Sequence, residues 1–129
     1  MAAGFSRKEE IAAKAKEIGR LGVEVTSTWP QEQVAGSITL DQLTDDYLIH
    51  HAALDIAQIN EADTIILFTQ DPKLPFCRGG RMHEFGYAHA AGKRLIVCGP
   101  RENIFHHLPT VTVFSTWEEL LRGEPWKVQ

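Results

Sequence analysis

Two short apolar runs constrain this chain more than anything else in it. They are Thr64-Ile65-Ile66-Leu67-Phe68-Thr69 and Leu95-Ile96-Val97-Cys98, the second ending at Gly99-Pro100. Neither run alternates apolar with polar residues. A brief, uninterrupted apolar segment between turn signals marks a strand covered on both faces, as in a parallel sheet. Between the runs, residues 81–91 read as a helix with Gly92 as its C-terminal glycine. Strand, helix, strand in that order is the unit from which parallel sheets are built.

The remaining elements extend the same pattern. Residues 6–21 read as an amphipathic helix, with Ser6 and Glu9 as a capping box and Ile11, Ala15, Ile18 and Leu21 on one stripe. Residues 23–28 alternate apolar and polar with β-branched side chains, which predicts a strand. Trp29-Pro30 stops it, and 30–39 read as a loop. A long helix is expected from about 40 to 60, with Asp41 as a possible cap and Leu48, Ala52, Leu54 or Ile56, and Ile59 on its buried side. Residues 111–114 predict a further strand, and Ser115-Thr116-Trp117-Glu118 opens a last helix that ends near Arg122-Gly123. Residues 1–5 are at most the stub of a first strand. The expected class is α/β: a doubly wound, mainly parallel sheet flanked by helices, flavodoxin- or Rossmann-like. With 129 residues, 43% of them hydrophobic, one domain over 1–129 is expected, because two would each be too small for a core.

Charge and cysteine content narrow the function. A formal net charge of −4 argues against a nucleic-acid-binding module, which needs a basic footprint. A small nucleotide needs only one or two local cations. Cys77 and Cys98 form neither a disulfide framework nor a zinc spacing. The N-terminus lacks an apolar signal segment, and no apolar run approaches the ~20 residues of a membrane helix. A soluble cytoplasmic setting, with no membrane partner, is therefore expected.

In an open parallel sheet, ligands bind beyond the carboxyl ends of the strands. Three segments should converge there: Gly4-Phe5-Ser6-Arg7, residues 70–80, and Gly99-Pro100-Arg101-Glu102-Asn103. Gly79-Gly80 enters a helix, where backbone N–H groups can approach an anion closely. Arg78 and Arg81 flank the pair, and Glu84 lies near the positive end of the helix dipole. On these residues alone, a plain glycine turn before a helix-start acid is an equally good account.

A wider pattern adds to it. Asp55, Ala62-Asp63 before an apolar strand, and then Gly79-Gly80-Arg81-Met82-His83-Glu84-Phe85-Gly86-Tyr87-Ala88-His89-Ala90-Ala91-Gly92-Lys93 occur in that order. Together with Phe5-Ser6-Arg7, Val25-Thr26-Ser27-Thr28-Trp29 and Gly99-Pro100-Arg101-Glu102-Asn103, this resembles the nucleoside 2-deoxyribosyltransferase family. That family includes nucleoside 5′-monophosphate N-glycosidases, and the likeness is to its short phage and actinobacterial members. It covers residues 2–117.

The resemblance implies that Glu84 attacks C1′ of the sugar and that Asp55 gives a proton to the leaving base. Asp63 is a second-rank site residue. Where transferases of the family have an aspartate six residues before the nucleophile, this chain has Arg78, which would attract a 5′-phosphate. Ser6 and Arg7, with Gly79 and Gly80, could complete that anion site. Phe5 could stack on the base. Asn103 and Phe105 match a segment that some relatives lend to a neighbouring subunit, so a homodimer or larger homo-oligomer is implied. No cofactor is expected. No metal is either, since His50-His51 and His106-His107 are adjacent pairs that point apart. The expected activity is N-glycosidic cleavage of a nucleoside 5′-monophosphate. The alternatives are 2-deoxyribosyl transfer between bases and a non-catalytic nucleotide sensor.

Overall fold

The computed structural model describes residues 1–31, 44–71 and 79–127. Its centre is a three-stranded parallel sheet in the order β1-β2-β3, with β1 Thr64–Phe68, β2 Arg94–Cys98 and β3 Val111–Phe114. Ile65 pairs with Leu95 and Leu67 with Val97, and Leu95 in turn pairs with Val111. The two apolar runs are thus adjacent parallel strands, and the chain has the expected α/β class.

Strand periodicity divides the core in two. Ile66, Phe68, Ile96 and Cys98 point to one face, where they pack with Ile11 and Ile18 of helix α1 (Lys8–Gly19) and Trp117 and Leu120 of helix α4 (Trp117–Gly123). Ile65, Leu67, Leu95 and Val97 point to the other, against Phe85 and Ala88 of helix α3 (Gly80–Ala90). Alternate residues of both strands are buried on opposite faces, which is why neither run shows polar interruption. Helix α2 (Asp45–Glu61) lies on the α3 face, where its Ile59 joins that second core.

Local chemistry sets the boundaries. Thr44 caps α2 by accepting the Tyr47 N–H, and Thr116 caps α4 by accepting the Glu119 N–H. Gly79 starts α3 in the left-handed region at φ 89°, which only glycine enters without strain. The expected cap Asp41 lies outside the described residues.

Two expectations are corrected. Residues 23–28 do not form a strand. Val23 and Val25 do pack on the core, so their alternation reports burial correctly. A strand also needs a ladder partner, and among the described residues the neighbouring extended segment is the stub before it. That stub makes a single bridge, Ala2 to Leu67, with hydrogen bonds of 2.8 and 2.7 Å to β1. Residues 26–28 bond instead to Gln58 of α2: Thr26 Oγ1 donates to its carbonyl, and the Thr28 N–H to its Oε1. Ser6 is not the cap of α1 either. It sits in a 3-10 turn, Phe5–Arg7, which moves the helix start to Lys8.

Candidate active site

Asp55 and Glu84 are brought together. Asp55 lies on the penultimate turn of α2 and Glu84 on the second turn of α3. Both line one small cavity with Met1, Ser27, Gln58 and Lys93. The cavity opens beside the amino-terminal half of β1, at Thr64 and Ile65, and not beyond the carboxyl ends of the strands. Its volume is about 20 Å³, space for one water. A second cavity of about 480 Å³ adjoins it and shares Met1, Thr26, Ala62 and Thr64 with it. That volume is in the range of small-molecule sites.

The electrostatics of the pair follow from its burial. Glu84 is pushed up to about 7, first by desolvation and then by the charge of Asp55. The α-amino group of Met1 also faces the pair and donates to Ser27 Oγ at 2.7 Å. It opposes the shift, after the two larger causes, and is itself lowered to about 6 by burial. A neighbouring carboxylate disfavours ionisation of Glu84, so near neutrality Glu84 exchanges a proton readily. Such a pair can donate a proton from one member and attack with the other.

Gln58 fixes the wall of this cavity. It is buried, its Nε2 donates to Thr28 Oγ1 at 2.7 Å, and it lies one turn after Asp55 on the same helix face. Sequence reasoning missed it, although the three-residue spacing from Asp55 was a usable signal. Lys93 was missed too; its Nζ donates to the Asn60 carbonyl at 3.0 Å.

None of the other expected site residues that are described lines this small cavity. Arg7 commits its guanidinium to Glu10, at 3.1 and 2.7 Å, and to the Thr69 carbonyl at 2.9 Å. It ties α1 to the end of β1. Glu10, held by Arg7 and Lys14, is lowered to about 2. Ser6 is exposed in its turn. Phe5 lies in the same turn, and its ring is outside the described part. Asp63 accepts from Thr64 Oγ1 at 2.7 Å and lines the larger cavity at the amino end of β1. Gly79 and Gly80 begin α3, as expected. Arg78 lies outside the described residues.

At the carboxyl end of the sheet, Arg81 and Glu102 form a two-pronged ion pair at 2.6 and 2.7 Å, with Arg81 only 5% exposed. Glu102 also accepts the Gln70 N–H at 2.8 Å, and its own N–H donates to Nδ1 of the buried His106. Asn103 caps the following 3-10 turn through the Phe105 N–H and donates to Met82 Sδ. Among the described residues, no group of three or more His, Cys, Asp or Glu is arranged around a metal-sized site. No described helix is long and apolar enough to cross a membrane. Searches for a matching family model, a matching curated protein and a matching solved structure each found none.

Proposed function

We propose that this chain breaks the N-glycosidic bond of a nucleoside 5′-monophosphate, as its resemblance to the nucleoside 2-deoxyribosyltransferase family implies. The observation that supports it most is the desolvated Asp55–Glu84 pair in a single cavity. In the productive form, Asp55 carries the proton and Glu84 is the carboxylate. Glu84 bonds to C1′ as the C1′–N bond breaks, and the base leaves with the bond electrons and the Asp55 proton. Water then attacks C1′, gives a proton to Asp55 and frees Glu84. Two displacements retain configuration at C1′.

The small cavity admits a water, so a sugar and base need the adjoining 480 Å³ as well. Met1 and Thr26 line both spaces, and a bound substrate must span them. Arg7 is engaged by Glu10 and Thr69, so the phosphate preference rests on Arg78.

The test is incubation with each common deoxy- and ribonucleoside and its monophosphate, with chromatography for released base. Mass spectrometry of the quenched protein would look for a sugar adduct on Glu84. Release from monophosphates with little from the nucleosides is the expected result. A hybrid nucleoside, formed when a second base is added, would replace hydrolysis by transfer. No base release from any compound would sink the catalytic proposal.

A further inference from the structure

The α3 helix carries two acid-base groups one turn apart, Arg81 and Glu84, and they turn to different neighbours. Glu84 faces the cavity with Asp55, while Arg81 is buried against Glu102. The segment from Glu102 to His106 grips the first half of α3 at three places. Glu102 takes both outer nitrogens of Arg81. Asn103 Nδ2 donates to Met82 Sδ at 3.6 Å. The His106 ring meets the Phe85 ring edge-on, with centroids 5.3 Å apart and planes at 78°. Glu102 is the hub of this contact, because it also holds the Gln70 N–H and, through its own N–H, His106. Residues 81, 82 and 85 bracket Glu84 on the helix, so whatever fixes them fixes the height and rotation at which Glu84 is presented.

We infer that Glu102 is a positioning residue: through Arg81 it sets the placement of α3 and hence of the Glu84 carboxyl opposite Asp55. The inference rests on the roles proposed above for Glu84 and Asp55. A charged two-pronged pair suits this task because its geometry is narrow in both distance and plane. Apolar packing alone tolerates small slides of a helix. A displacement of about 1 Å at a reacting group can cost on the order of a hundredfold in rate.

The test replaces both partners, since a buried pair exchanged for apolar residues of similar volume commonly leaves a protein folded. The variant is Arg81→Met with Glu102→Leu. Its readouts are the Glu84 carboxyl titration by carbon-13 NMR and the separate values of kcat and KM. We expect a folded variant whose Glu84 midpoint drops from about 7 toward an ordinary glutamate. We expect kcat to fall about thirtyfold, with KM changed less than about threefold. Should the double variant not fold, Glu102→Gln takes its place, because the amide keeps an acceptor oxygen for Arg81 and Gln70. It should show the same changes in smaller measure. A folded variant that keeps either the wild-type midpoint or the wild-type kcat overturns the inference. If the wild-type protein releases no base at all, the N-glycosidase proposal fails while the midpoint comparison still decides whether Glu102 places Glu84.

Discussion

One helix joins two clusters of charge that solve opposite problems. At the carboxyl end of the sheet, Arg81 and Glu102 are buried as a matched pair, and the Glu102 carboxylate also accepts the Gln70 N–H. One turn along, Glu84 is half-buried beside a second carboxylate and an amine that burial lowers to about 6. The matched cluster keeps its charges and stabilises by geometry. The mismatched cluster gives up charge, and Glu84 holds a proton near neutral pH. Matching of sign and partner therefore separates the structural cluster from the one proposed as reactive more clearly than burial does.

The largest effect should come from abolishing the mismatch. Glu84→Gln should lower base release by about 10⁴-fold or more, measured as kcat on the best substrate. Asp55→Asn should cost about 10²- to 10⁴-fold. Its deficit should shrink for substrates whose base leaves without needing a proton. Equal deficits across leaving groups would remove Asp55 from the donor role.

Stability should respond with opposite signs. Glu102→Leu alone strands Arg81 as a buried cation and should cost about 3–5 kcal/mol in denaturant unfolding. Glu84→Gln removes a carboxyl that the fold prefers protonated. Because its folded pKa of about 7 lies above the ordinary 4.5, its stabilising proton is fully present below pH 4.5 and lost as pH rises through 7. The variant should thus be more stable than wild type at pH 8, by roughly 2 kcal/mol after allowance for partial exposure, and no more stable at pH 4. A wild-type advantage at pH 8 would mean that Glu84 is not desolvated.

The smallest effect sharpens the contrast. His106 is lowered by burial, so it contributes stability above its ordinary 6.5 that is lost as pH falls below it. Acid should therefore loosen the Glu102 end while it favours the Glu84 end. Replacing His106 with Phe should lower stability by about 1–3 kcal/mol at both pH values, because the Glu102 N–H loses its acceptor, but should remove the extra loss on the acid side, as thermal melts at pH 5 and 8 would show.

Much of the architecture was legible because it depends on neighbours in sequence. Ile65 to Phe68 and Leu95 to Cys98 had to be covered on both faces, and Gly79 and Gly92 bounded the helix between them. The strand expected at 23–28 failed because alternation reports a buried face and says nothing about a ladder partner. The pairing of Arg81, which flanks the Gly79-Gly80 pair, was hidden because Glu102 comes 21 residues later and across β2. The bond from Arg7 to the Thr69 carbonyl, 62 residues away, was equally invisible in the sequence. The meeting of Asp55 with Glu84 was expected from resemblance. No local rule places the turns of two separate helices side by side.

The two halves of the proposed chemistry also differ in how firmly they are mounted. Helix α3 buries Arg81, Phe85 and Ala88, and is gripped from Glu102 to His106 as well. Among the described residues, helix α2, seventeen residues long, buries only Gln58, and is held through Gln58 to Thr26 and Thr28, through Ile59 to the core, and through Asn60 to Tyr87 and Lys93. Few buried contacts mean a low local opening energy. The proposed nucleophile thus stands on the helix with more buried side chains and the proposed proton donor on the one with fewer.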